Sequence, residues 1–304
     1  MVEMQASTPD TVTIIRARSA GFCPGVQRAL HMTEHVLAEG LPLASLGPLI
    51  HNAQVVEKLS RSGLRLIDSL DQAEGSALLI RTHGVASSVV AEARACGLTI
   101  VDATCPFVQR AHDCARALVE AGYVLCVVGE RHHPEVVGIT GSVPGECYVL
   151  ETSDEAEAVP PMSRIGVVAQ TTQTVDSYRS IVGLLAARCR EILAHNTLCD
   201  ATEKRQMAAR QLAAEADVVV VVGGRHSANT RRLAEICSQG AATYHIETEL
   251  EIVPEWVAGV RTVGVTAGAS TPEEQIAAVE ERLVALVRAS GRGVELTVER
   301  SGEG

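Results

Sequence analysis

The sequence predicts an α/β protein made of three related units, each a mainly parallel sheet with flanking helices. Three observations carry this. Short apolar or β-branched runs alternate with longer stretches of helical period, the pattern of parallel sheets covered by helices. Polar residues collect where strands end and helices begin, the edge at which open parallel sheets bind ligands. Three cysteines, Cys23, Cys105 and Cys199, each end a short run and open a helix-like stretch. Gly47, Gly129 and Gly223 stand 24 positions after them (47 − 23, 129 − 105, 223 − 199), and His51, His133 and Ser227 stand 28 after them (51 − 23, 133 − 105, 227 − 199). One unit written three times accounts for both offsets. Such units facing one another about a pseudo-threefold axis would bring one cysteine from each to a common centre. The repeat is too long for a short-period solenoid.

Each element follows from its local sequence. Residues 1–11 read as a disordered leader and 12–17 as a strand. After Cys23, Val26, Ala29, Leu30, Val36 and Leu37 recur with helical spacing, and Gly40 stops the helix. Strands follow at 43–46, 64–67 and 77–80, the first leading through Gly-Pro-Leu-Ile-His51-Asn and the last through Arg-Thr-His83-Gly, each into a helix. The second unit opens with a strand at 98–101. Its helix carries Val108, Ala111, Ala115 and Leu118. Strands at 124–128, 147–150 and 165–169 follow, and a helix is expected over 175–190. The third unit has a helix over 201–216, then the all-valine run 218–222, a buried strand by composition. Strands at 244–246 and 262–266 and a helix to 288 complete it. The units are therefore expected at 12–97, 98–194 and 195–290. The tail, 291–304, has one possible strand at 294–298 and is otherwise expected to be disordered.

Composition removes several function classes. The formal charge is −11, with no Lys/Arg run to attract a phosphate backbone. Trp 1, Tyr 4 and Phe 2 leave too few aromatics for single-strand stacking platforms. No run is long and apolar enough to cross a membrane, and the N-terminus lacks the features of an export or transit signal. Nine cysteines without such a signal indicate a reducing compartment, the cytoplasm, where they serve metals or catalysis more often than disulfides.

Three symmetry-related thiolates on one axis make a metal site. Zinc with three cysteines keeps one open position. A 4Fe-4S cluster on three cysteines leaves one iron without a protein ligand. The threefold layout suits the cubane better, because three equivalent corners need three equivalent ligands. The other six cysteines fall in helix or strand patterns and read as small hydrophobes: Cys96, Cys114, Cys189 and Cys237 in helices, Cys126 and Cys147 in or beside strands. His51, His83, His133, Thr171, Ser227 and Ser270 follow strand ends in matched places, with Asn229 beside Ser227. Lone Ser and Thr residues there are ordinary helix caps. Three histidines at such edges, with helix N-terminal amides, form an anion receptor that fits a phosphate or diphosphate. His112 and His132 read as solvated. Glu135, two residues after His133, faces the same cavity, where a raised pKa would let it deliver a proton.

Nine motifs in order resemble the 4-hydroxy-3-methylbut-2-enyl diphosphate reductase family. They are Gly-Phe-Cys23-Pro-Gly-Val, Gly-Pro-Leu-Ile-His51-Asn, Thr-His83-Gly-Val, Asp-Ala-Thr-Cys105-Pro, His133-Pro-Glu135-Val-Val-Gly, Gln170-Thr171-Thr172, Cys199-Asp-Ala-Thr-Glu-Lys-Arg-Gln, Ser227-Ala-Asn229 and Thr-Ala-Gly-Ala-Ser270. The resemblance implies a trefoil of three α/β domains around one 4Fe-4S cluster held by Cys23, Cys105 and Cys199. It implies that His51, His83, His133, Ser227, Asn229 and Ser270 hold the substrate diphosphate. Thr171 would stand near the substrate hydroxyl and Glu135 would be the proton source. The reaction removes that hydroxyl with two electrons and two protons, giving isopentenyl and dimethylallyl diphosphates, with electrons from a ferredoxin or flavodoxin. Two departures stand out. Ala228 replaces a serine found in many members, leaving only its backbone N–H for the diphosphate, and His226 stands where the family usually has asparagine. A quinolinate-synthase-like dehydratase shares the architecture but not the motifs. A zinc module binding a phosphorylated ligand without turnover is the non-enzymatic alternative.

Overall fold

The computed structural model describes residues 11–298. The chain runs β1 (Thr11–Arg16), α1 (Pro24–Ala38), β2 (Leu43–Leu46), α2 (Ala53–Arg61), β3 (Leu64–Ile67), β4 (Ala77–Ile80), α3 (Ser87–Ala95) and β5 (Ile100–Asp102). Next come α4 (Pro106–Glu120), β6 (Val124–Val128), α5 (Pro134–Thr140), β7 (Cys147–Leu150), α6 (Ser153–Ala158), β8 (Met162–Ala169), α7 (Val175–Ala186) and β9 (Cys189–Ala194). The last stretch is α8 (Asp200–Glu215), β10 (Val218–Val222), α9 (Ala228–Cys237), β11 (Ala242–Ile246), β12 (Thr262–Ala267), α10 (Glu273–Ala289) and β13 (Gly293–Val298). The expected leader lies outside the described residues except for Thr11, which opens β1. The expected tail strand is β13, and the tail beyond 298 lies outside them.

All pairings among the described strands are parallel, in three sheets. One compact unit, Pro24–Glu203, holds the sheets β3-β2-β4-β5 and β7-β6-β8-β9. The other joins the chain up to Cys23 to the chain from Lys204 onward and holds β11-β10-β12-β1-β13. The first four positions of each sheet match: an outer strand, two central strands, then the strand that leads to a cysteine. β5 leads to Cys105, β9 to Cys199 and β1 to Cys23. Sheet membership departs from the sequence divisions at two strands: β5, inside 98–194, pairs with β4 of the first division, and β1, inside 12–97, pairs with β12 of the third.

The central strands explain the composition. In β10 every valine is buried, and the faces alternate. Val220 and Val222 join Ile276, Val279, Leu283 and Val287 of α10, whereas Val219 and Val221 join Ala209 and Leu212 of α8 and Leu233 and Ile236 of α9. β6 repeats the scheme. Cys126 and Val128 meet Tyr178, Ile181 and Leu185 of α7, while Leu125 and Val127 meet Ala111, Ala115 and Leu118 of α4. A strand covered on both faces needs an unbroken apolar run. Each valine so buried is worth about 1.5–3 kcal/mol over exposure.

The matched glycines have physical reasons. Gly47 and Gly223 take positive φ (77° and 143°), closed to a side chain without strain. Gly129 is required by packing: a Cβ there would lie 2.8 Å from both Gln170 Cβ and Val136 Cγ2.

Two expectations need correction. The helix expected over 175–190 ends at Ala186, and Cys189, expected in that helix, opens strand β9. β9 pairs with β8, and Glu191 accepts from Arg164 Nε at 2.9 Å across the pair. His112 is not solvated but buried on α4.

Candidate functional site

The unit Pro24–Glu203 brings three imidazoles together. His51 follows β2, His83 follows β4 and His133 follows β6. Their ring centroids stand 4.7, 5.9 and 5.5 Å apart for His51–His83, His51–His133 and His83–His133. One nitrogen from each lies within 4.8 Å of the others. Thr82 fixes the His83 turn by donating its hydroxyl to the Leu49 carbonyl (3.0 Å), inside the His51 loop. Burial, then the neighbouring His51 and His133, then Arg81, hold His83 well below 6.5, so it is neutral at neutral pH.

His133 caps α5: its Nδ1 accepts from the Glu135 amide at 3.2 Å. Glu135 is buried on the first turn of that helix. Its Oε1 accepts from the Thr171 amide (2.7 Å) and its Oε2 from the Thr171 hydroxyl (2.9 Å). Burial raises the carboxyl to about 7, and the two Thr171 hydrogen bonds pull the other way. Glu135 is therefore partly protonated near neutrality, as a proton donor must be.

The same contact recurs behind all three cysteines. The Cys199 amide donates to the Thr171 carbonyl (3.1 Å), the Cys105 amide to the Thr82 carbonyl (3.0 Å) and the Cys23 amide to the Ala269 carbonyl (3.2 Å). Each acceptor lies in or beside the strand-end motif that carries Thr171, His83 or Ser270. Each cysteine also immediately precedes a helix, α1, α4 or α8. All three are half-buried thiols. By contrast, burial among apolar residues pushes Cys126 and Cys237 up to about 12, and raises Cys147. Cys23, Cys105 and Cys199 thus each offer a half-buried thiol at the start of a helix, a setting in which a thiol can serve as a metal ligand, whereas Cys126 and Cys237 sit in apolar cores. The Arg205 guanidinium, buried on α8, further pins the Cys23 loop by donating to the Gly21 carbonyl at 2.7 Å.

The remaining predicted residues lie in the unit holding Cys23. Ser227 caps α9, accepting from the Thr230 amide at 3.3 Å, and Ala228 opens that helix. Asn229 is buried with neither side-chain polar atom hydrogen-bonded. Ser270 is half-buried beyond β12, and no side chain caps α10. His226 is exposed beside them, as is His132 in the other unit.

His112 is the functional-region residue that the sequence reading misplaced. Added Cβ atoms at Gly84 and Gly138 would each come within 3.2 Å of its ring, so it fills the space between the His83 turn and α5. Its Nε2 is buried without a hydrogen-bond partner. Burial, reinforced by Arg116, lowers its pKa to about 4. Because the folded value lies below the unfolded one of 6.5, His112 destabilises the fold as pH falls from about 6.5 through about 4. The loss reaches up to about 3 kcal/mol. Urea unfolding between pH 7 and pH 4 should show it, and His112→Leu should flatten that part of the profile. An unchanged acid slope in the variant would clear His112 of this role.

The family model described as LytB protein matches residues 14–284. The chain belongs to the LytB protein family. Among LytB relatives, the 4-hydroxy-3-methylbut-2-enyl diphosphate reductase of Pelobacter propionicus is 48% identical over 261 residues, covering 86% of this chain and 93% of the relative. The protein of the same name from Geobacter sulfurreducens is 44% identical over 271 residues, covering 89% and 96%. A solved structure of (E)-4-hydroxy-3-methyl-but-2-enyl diphosphate reductase, described as the terminal enzyme of the non-mevalonate pathway, shares 40% identity at a TM-score of 0.68. It covers 90% of this chain and 99% of that one. The Plasmodium falciparum reductase structure, 24% identical at a TM-score of 0.85 over 98% of this chain and 94% of that one, shares the fold. The resemblance read from the nine motifs is to this family. Among the described residues no helix is long and apolar enough to cross a membrane.

Proposed function

We propose that this LytB-family protein reductively removes the hydroxyl of 4-hydroxy-3-methylbut-2-enyl diphosphate, releasing isopentenyl and dimethylallyl diphosphates. The observation that carries the reading is the run of contacts from His133 to Glu135 to Thr171 to Cys199. Its links, two through backbone amides and one from the Thr171 hydroxyl to the Glu135 carboxylate, hold together four residues that carry an anion-receptive imidazole, a protonatable carboxyl, a hydroxyl and a thiol. The sequence divisions 12–97, 98–194 and 195–290 are read as the three copies of one duplicated unit, disposed as a trefoil.

In this reading Cys23, Cys105 and Cys199 hold one 4Fe-4S cluster. When bound, such a cluster would supply electrons singly and Lewis-acid chemistry from an iron without a protein ligand. The chain's residues do the rest. His51, His83 and His133 hold the diphosphate, together with Ser227, the Ala228 amide, Asn229 and Ser270. The orphaned side chain of Asn229 supports this, since a buried amide without partners is costly unless a ligand satisfies it. Thr171 orients the substrate hydroxyl and relays to it the proton of Glu135. The hydroxyl then leaves as water, and a second proton with two electrons completes the carbon skeleton. The electrons come from a ferredoxin or flavodoxin in the cytoplasm.

The test is anaerobic turnover of the allylic diphosphate with a chemical reductant. Brown, iron-loaded protein should release both products, and only when reductant is present. Iron-loaded protein that binds the diphosphate without converting it would overturn the assignment.

A further inference from the structure

The candidate diphosphate site has little fixed charge of its own. His83 is held neutral, and each imidazole that became charged would raise the cost of charging the next. A fixed cation beside it would strengthen diphosphate binding. Arg81 stands two residues before His83, just beyond β4. Its guanidinium lies over Gly47, at the start of the loop that carries His51: Nη1 would be 3.1 Å from a Cβ placed there. It is also close enough to His83 for its charge to depress that imidazole. It therefore sits against both sheet-edge turns that present His51 and His83.

Arg81 differs from the arginines that pair with carboxylates. Arg61, Arg116, Arg131, Arg164 and Arg225 each pair with a carboxylate. Arg81 forms no ion pair among the described residues, its Nε is buried without a hydrogen-bond partner, and burial lowers its own pKa. Arginine nonetheless stays protonated, because its intrinsic pKa is so high. A permanently charged, partly desolvated fork with no counter-ion is costly to keep. It is suited to one partner above all, a phosphate group that can accept two parallel N–H bonds.

We propose that Arg81 is a further substrate-binding residue, whose guanidinium supplies the permanent positive charge for a diphosphate held by His51, His83 and His133. The proposal rests on the reading of the three histidines as a diphosphate site. The rival is a structural role, in which the side chain merely covers the Gly47 turn. It is the guanidinium, not the stem, that lies over Gly47, so a purely structural role would show in Arg81→Met as a fall in urea stability with diphosphate binding kept, whereas an anion-binding role shows as lost diphosphate affinity.

The experiment measures inorganic diphosphate binding by calorimetry, and KM for the allylic substrate, on iron-loaded wild type, Arg81→Met, Arg81→Lys and His133→Ala. Arg81→Met should weaken diphosphate binding at least about tenfold and raise KM comparably, with Arg81→Lys recovering part of the loss. His133→Ala should also weaken binding. If His133→Ala loses affinity while Arg81→Met binds as wild type does, the Arg81 proposal is overturned and the histidine site stands. If His133→Ala binds normally, the histidine reading itself fails and the proposal with it. Should Arg81→Met not fold, wild type carries the test. Saturating inorganic diphosphate should shield Arg81 from phenylglyoxal, as located by peptide mass spectrometry. Modification of Arg81 at the same rate with and without diphosphate would overturn the proposal.

Discussion

Glu135→Gln should lower turnover at least about a hundredfold while leaving iron content and diphosphate affinity near wild type. The size of the effect follows from what the carboxyl would do. Hydroxide is a poor leaving group, so the departing oxygen must take a proton, and losing a positioned acid typically costs about 10²–10⁴ in rate. Burial holds Glu135 at about 7 against the pull of two hydrogen bonds from Thr171, so it keeps a proton to give at neutral pH. Glutamine preserves the shape and still accepts from the Thr171 amide, but has no acidic proton. The competing view is that Glu135 only complements the N-terminal dipole of α5, worth about 0.3–1 kcal/mol, which would barely alter turnover. The pH profile gives a second check. A donor raised to about 7 is protonated below that value and loses its proton above it, so wild-type turnover should fall as pH rises through about 7. Glu135→Gln should lack that limb. Turnover of the variant within a few-fold of wild type would make Glu135 an ordinary helix-start residue.

The residues that announce this chemistry were legible for a physical reason. A strand buried on both faces must be apolar, so 218–222 could hardly be anything else. A strand end that turns into a helix needs polar and capping groups, which is why His51, His83, His133 and Thr171 stand out from the runs before them. What the sequence hid was non-local. β9 is a modestly buried strand whose residues, Cys-Arg-Glu-Ile-Leu-Ala, suit a helix as well, and only pairing with β8 makes it a strand. The departure of sheet membership from the sequence divisions is equally invisible, because parallel neighbours need not be neighbours in sequence. His112 looked like a polar residue on a helix surface. Gly84 and Gly138, distant in sequence, make the hollow that buries it. The amide contacts of Cys23, Cys105 and Cys199 were also out of reach, though they tie each cysteine to a strand-end motif more directly than the 24- and 28-residue offsets do.

Cys105→Ser should abolish cluster-dependent colour and turnover, whereas Cys126→Ser should retain both. The contrast rests on surroundings rather than residue type. Cys105 is half-buried at the N-terminus of α4, and its amide is anchored to the Thr82 carbonyl. Cys126 is fully buried in β6, against Tyr178, Ile181 and Leu185, and is held up to about 12, so it stays a thiol and acts as a small hydrophobe. Serine at 126 keeps the volume but buries a hydroxyl. Its cost should appear in stability, about 1–3 kcal/mol if the hydroxyl finds no partner, and not in iron. Serine at 105 offers a much poorer ligand to iron, and the loss should be total or nearly so. Iron and acid-labile sulfide per chain, measured anaerobically alongside a urea melt, separate the two outcomes. Zinc in place of iron in the colourless wild type would replace the cluster with a three-thiolate zinc site. Loss of iron from Cys126→Ser with retention in Cys105→Ser would move the cluster away from the helix N-termini altogether, and with it the path from His133 through Glu135 and Thr171 to Cys199.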